Sequence, residues 1–93
     1  MVELWSVESQ SLTHRLEGHS YRVYDVDLSA DGRFLASASR DGTVRVWDVE
    51  SGELLRTLET DAGPATAVAF SPAADQLICG TETGVVLIWE LTN

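Results

Sequence analysis

The sequence predicts an all-β fold of antiparallel sheets, and three observations carry that prediction. Tryptophans at 5, 47 and 89 stand 42 residues apart, each near the end of an apolar-rich run. In the central run, Gly42-Thr43-Val44-Arg45-Val46-Trp47-Asp48, apolar and polar residues alternate with the period of a strand. Asp31-Gly32 and Asp41-Gly42 sit between apolar runs, a strong hairpin signal. No segment keeps the apolar period of a helix, and turn signals recur about every 8–12 residues.

Each element follows from its local pattern. Val2 to Val7 is a strand, and Ser9-Gln10-Ser11 turns it into a polar second strand, Leu12 to Leu16. Gly18-His19-Ser20 breaks that strand. Val23 to Leu28 is the next, and Ser29-Ala30-Asp31-Gly32 is its hairpin turn. Phe34 to Ser39 is built of small side chains, which suit a strand pressed on both faces. Arg40-Asp41-Gly42 turns into the central run. Glu50-Ser51-Gly52-Glu53 then leads to Leu54 to Leu58. Ala65 to Phe70, Leu77 to Thr81 and Val85 to Leu91 are further strands, with turns at Ser71 to Asp75 and Thr83-Gly84. The chain aligns with itself without a gap at an offset of 42 residues. Val2, Trp5, Val7, Leu12 and Leu16 match Val44, Trp47, Val49, Leu54 and Leu58; Val26, Ser29, Leu35 and Gly42 match Val68, Ser71, Leu77 and Gly84.

Composition narrows the function. The 93 residues suit one small domain, with 15 acidic and six basic residues and a formal charge of −9. All the bases are arginine. Such a surface repels phosphate and anionic lipid, so neither nucleic acid nor membrane is an expected partner. A single cysteine, Cys79, rules out an internal disulfide framework and fits a reducing, cytoplasmic setting. No apolar run nears the length of a membrane span, and Met1 to Leu4 lacks the features of a signal peptide.

A repeat of about 40–45 residues ending in Trp-Asp is the signature of a propeller blade. On these residues the chain resembles the WD40 family over nearly its whole length. Gly18-His19 is similar to the family's GH pair, Trp47-Asp48 to its WD pair, and Leu28 to Gly32 to its middle turn. The resemblance implies blades of four antiparallel strands, A innermost to D outermost. It divides the chain into residues 1–17 (strands C and D of a partial blade), 18–59 (a complete blade) and 60–93 (strands A, B and C of a further blade). It also implies a buried network joining Trp47 to Ser37 or Ser39, then to His19, then to Asp41. Buried indole and imidazole groups need such partners. In the second repeat Asp61, Cys79 and Thr83 replace His19, Ser37 and Asp41, and only Trp89 survives. The C-terminal blade is therefore expected to lack the network and to be the weaker one. Partner binding in the family implies a rim at Arg22, Tyr24 and Arg40 and, in the second repeat, at Pro64, Thr66 and Glu82.

Other constellations read as structural. Ser37, His19 and Asp41 form a Ser/His/Asp set, but Ser37 lies on an inner strand and no Gly-x-Ser-x-Gly elbow occurs. Asp25-Val26-Asp27 has too few oxygen ligands for a hard cation, and Asp27 needs a partner between blades. His14 and His19 lack zinc-site spacing. Cys79 reads as a small buried hydrophobe. No cofactor, metal or catalytic site is expected. The expected function is a non-enzymatic interaction scaffold for other proteins or peptides. The alternative is a self-assembling fragment, natural or engineered, with no partner beyond copies of itself. Propellers have about 4–8 blades, so the ring is expected to be completed by the remaining repeats of a longer propeller or by copies of the chain. Three chains would give about six blades and four about eight. At such a joint the C-like strands 2–7 and 85–91 compete for one place.

Overall fold

The computed structural model describes residues 2–6, 11–16 and 22–91. Nine strands follow one another with no helix among the described residues: β1 (Val2–Ser6), β2 (Ser11–Leu16), β3 (Val23–Leu28), β4 (Phe34–Ser39), β5 (Thr43–Asp48), β6 (Leu54–Glu59), β7 (Ala65–Phe70), β8 (Gln76–Thr81) and β9 (Val86–Glu90). They form three antiparallel sheets, β1-β2, β3-β4-β5-β6 and β7-β8-β9. Within each sheet the strands pair in sequence order, as hairpin turns dictate.

The pairing repeats as faithfully as the sequence. Leu28↔Leu35 in the first full sheet becomes Phe70↔Leu77 in the second, and Ala38↔Val44 becomes Gly80↔Val86. The β1–β2 pair reproduces β5–β6: Val2↔Leu16 stands for Val44↔Leu58, and both pairs carry an irregularity just before the tryptophan. The two-stranded sheet is thus the outer half of a blade.

Turn chemistry explains the hairpins. The Ser29 hydroxyl donates to Asp31 at 2.6 Å and accepts the Phe34 N–H at 3.0 Å, while Arg33 N–H donates to Asp31 at 3.0 Å. These bonds, the Ser29 hydroxyl foremost, hold the Asp31 carboxyl below its ordinary value. Gly32 takes the left-handed conformation of this turn at φ 73°. In the second repeat the Ser71 hydroxyl accepts the Gln76 N–H as Ser29 accepts that of Phe34. It donates to Asp75, however, since Ala73 stands in the place of Asp31. Alanine also holds the glycine's place: Ala74 has φ 57°.

The core lies between the two larger sheets. Ala36, Ala38, Val44 and Val46 from the first meet Ala65, Val68, Leu77 and Cys79 from the second. Full burial of a valine or leucine side chain contributes about 1.5–3 kcal/mol. A smaller cluster on the opposite face joins Val2 of β1 to Leu35 and Trp47. β4 is buried on both faces from Leu35 to Ser39, which accounts for its small residues.

A polar device locks the joint. Asp25 accepts the Val68 N–H at 3.0 Å and Asp27 accepts the Phe70 N–H at 2.8 Å. The two carboxylates thereby satisfy alternate amides on the edge of β7 that no strand pairs. Asp25 thus turns to the neighbouring sheet, where those amides offer hydrogen bonds that water alone would otherwise meet. The partner that Asp27 required between blades is backbone.

Two outcomes follow. Replacing Ala74 by glycine removes a left-handed alanine, whose cost of roughly 1–2 kcal/mol exceeds glycine's entropic cost of about 0.5–1 kcal/mol. Ala74→Gly should therefore raise the urea midpoint slightly; a lowered midpoint would mean that this turn is not strained. Asp27→Ala should lose about 1–3 kcal/mol by orphaning the Phe70 amide, and Asp27→Asn, which keeps an acceptor oxygen, should lose less. Equal midpoints for the two variants would rule out the clamp.

Candidate interaction rim and its supporting network

The rim is built where each innermost strand begins and where the second and third strands of a sheet meet. The Arg40 N–H donates to the Arg22 carbonyl at 2.9 Å. One repeat later the Glu82 N–H donates to the Pro64 carbonyl at 3.0 Å. The same backbone bond therefore fixes Arg22 beside Arg40 and Pro64 beside Glu82. Arg22, Arg40 and Glu82 are exposed and Pro64 is half-buried. Thr66 is exposed, and its hydroxyl donates to the Gly80 carbonyl at 3.3 Å. Tyr24 is exposed too, but strand alternation sets it with Val26 and Leu28 on the open face of β3. The structure thus brings four of the six rim residues together in two pairs and leaves Tyr24 and Thr66 one step inside the strands.

Beneath the rim of the first full sheet, the Trp47 indole N–H donates to the Ser37 hydroxyl at 3.0 Å, and both side chains are buried. Ser39, the other residue facing Trp47's side, instead donates to the Arg22 carbonyl at 2.9 Å and accepts the Asp41 N–H at 3.2 Å. It pins the rim rather than the tryptophan. Asp41 accepts the Thr43 N–H at 2.9 Å and the Thr43 hydroxyl at 2.5 Å, which shapes the turn around Gly42. Gly42 has φ 83°, and a Cβ there would stand 3.5 Å from the Gly63 carbonyl oxygen. His19 lies outside the described residues, as does its share of the network.

The second sheet solves the same problem with threonines. The Thr83 hydroxyl donates to the Ala62 carbonyl at 3.0 Å and lies 3.2 Å from the Thr81 hydroxyl. Thr81 also donates to the Val85 carbonyl at 2.9 Å and accepts its N–H at 3.1 Å. Thr60 donates to the Gly63 carbonyl at 2.7 Å and closes the corner in which Asp61 takes φ 54°. Cys79, in the place of Ser37, is buried, and its thiol donates to the Gly80 carbonyl at 3.3 Å. Burial pushes that thiol above its ordinary value. Among the described residues no hydrogen bond joins Trp89 to Cys79. Sequence reading found the substitutions but not the threonine network that replaces the lost bonds. The only signal was that Thr81 and Thr83 align with Ser39 and Asp41, which are also hydrogen-bonding types.

A cleft of about 290 Å³ opens beside the rim between Asp41, Thr43, Glu59, Thr60 and Asp61. Among the described residues no group of His, Cys, Asp and Glu could hold a metal ion.

Comparison with known proteins places the chain. The family profile described as "WD domain, G-beta repeat" matches twice, at residues 10–48 and 52–90. Each match begins with the outer strand of one sheet and ends with the third strand of the next. The chain is 38% identical over 79 residues to WD repeat, SAM and U-box domain-containing protein 1 of Danio rerio, covering 84% of this chain and 16% of that protein. It is 34% identical over 82 residues to WD repeat-containing protein SL1-17 of Schistosoma mansoni, covering 88% of the chain and 27% of the relative. It is 38% identical over 93 residues to small ribosomal subunit protein RACK1y of Oryza sativa subsp. japonica, covering 99% of the chain and 27% of the relative. The chain therefore spans about a quarter or less of the length of these relatives. With its period, its strand order and both profile matches in agreement, this chain belongs to the WD40 repeat family.

Proposed function

We propose that this chain is a non-enzymatic scaffold for protein–protein interaction, contributing two repeats to a propeller whose rim receives protein or peptide partners. The observation that carries the reading is the repeated rim bond. It holds exposed side chains at equivalent places on successive blades, Arg22 with Arg40 and Pro64 with Glu82. Arginine is favoured at interface centres, and its planar fork suits carboxylates. Two exposed arginines on an acidic chain therefore favour an acidic or carbonyl-rich partner segment over a basic one. The net charge of −9 disfavours nucleic acid and anionic membrane.

Catalysis finds no support in the Ser37 environment. Its hydroxyl is wholly buried and accepts an indole N–H, whereas a nucleophile must meet substrate beside an oxyanion hole. The same proposal includes closure of the ring, by copies of the chain in threes or fours or by further repeats, and a cytoplasmic setting. Cys79, free and buried, is compatible with that setting.

The test is affinity capture with immobilised chain and with the double variant Arg22→Glu/Arg40→Glu. Proteins held by the native chain should be lost by the variant while its far-ultraviolet spectrum is unchanged. Equal capture by both would contradict the rim as the binding surface.

A further inference from the structure

At the edge opposite the rim, the joint between the two larger sheets opens into a groove of about 320 Å³. Phe34, Phe70 and Leu91 pack against the core cluster and stay half-buried where it opens. The wall from β6 is set by an irregularity in its pairing. Trp47 stands opposite Leu54 and Val46 opposite Arg56, so Leu55 is an extra residue. Such bulges re-aim side chains, and here Leu55 and Arg56 both line the groove. Leu55 is 45% exposed. Ala74, from the turn between β7 and β8, lines the groove on the side of the second sheet.

Charge and strain both mark this groove. Arg56 is exposed, and among the described residues its guanidinium has no ion pair and no hydrogen bond. Arg33 brings a second positive charge to the same wall: its guanidinium lies 5.3 Å from the centre of the Phe34 ring, with Asp48 no nearer than 3.9 Å. Ala74 keeps a methyl in the groove although its φ of 57° is left-handed. Glycine would avoid that cost, and residues held in such conformations gather at ligand clamps. The repeat mates of Leu55, Arg56 and Ala74 are Thr13, His14 and Gly32. The groove's character therefore belongs to this joint and not to the repeat pattern.

We propose that the groove receives an extended peptide segment of a partner protein. The segment sets a leucine or phenylalanine side chain between Leu55 and Ala74 and an adjacent carboxylate on Arg56. Sites for small molecules occupy about 300–1,000 Å³, so this groove lies at the small end and suits one or two side chains. The planar guanidinium fork matches a carboxylate in two parallel hydrogen bonds. Charge complementarity here is local. The chain carries a net charge of −9, so most of its surface repels a carboxylate, and an unpaired arginine beside apolar walls receives one. The groove lies at the opposite ends of the strands from Arg22 and Arg40, so it adds a second docking surface to the scaffold.

The probe is the peptide Ser-Gly-Phe-Asp-Leu-Asp-Gly-Ser, capped at both ends and titrated into the isotope-labelled chain. Saturable amide shifts are expected at Leu55, Ala74 and Leu91. Arg56→Glu should weaken binding several-fold, and it should bind a version of the peptide with lysine for aspartate better than the native chain does. Ala74→Gly, which should raise the urea midpoint, should weaken binding about two- to fourfold through loss of one buried methyl. A weaker complex from a more stable protein separates a role in the groove from a role in folding. Absence of saturable shifts, shifts at the rim instead, or unchanged binding in either variant would overturn the proposal. A changed mass of the assembled species in Arg56→Glu would assign the groove to a second copy and overturn it too. The rim variant Arg22→Glu/Arg40→Glu should bind the peptide as the native chain does, so groove and rim fail separately.

Discussion

Everything in this chain turns on how one small sheet is held against the next. A four-stranded blade has two faces and cannot bury both by itself. The first full sheet buries one face under the second, and the apolar cluster between them is the larger of the two found among the described residues. Hydrophobic contact alone is non-directional. Direction comes from Asp25 and Asp27, whose carboxylates take the Val68 and Phe70 amides and so fix β7 against β3. Those bonds set how the second sheet, with its own rim pair, stands against the first.

The strands and their order were legible in the sequence, because period-2 alternation, Asp-Gly turns and the exact repetition of pattern all act locally. The small residues of β4 announced a strand buried on both faces. Trp47 and Ser37 were legible as a pair only through family resemblance, since ten residues of separation carry no periodic signal. The clamp was half legible. Asp27 stood out as a carboxylate between blades whose repeat mate is alanine, but its partner is a backbone amide 43 residues away. No side-chain pattern marks such an acceptor. The threonine network was missed because a hydroxyl can replace a carboxylate or a serine without resembling it. Ala74 was missed because a left-handed alanine in a glycine's place has no signature beyond the alignment.

The repeat of the sequence and the repeat of the structure are out of step by one strand. Each family repeat carries the outer strand of one blade and the inner three of the next. The described sheets of two, four and three strands follow from that phase, and their bare surfaces are the counterparts of ones buried between the two larger sheets. The exposed valines and isoleucines at the C-terminal face belong to that geometry. A solitary chain would present them to water together with open strand edges, which promotes association.

The most direct measurement is the solution mass of the purified chain by light scattering behind size exclusion. The account predicts a discrete species of several chains, three or four if the ring closes on copies of itself. A folded, stable species with the mass of one chain would contradict it.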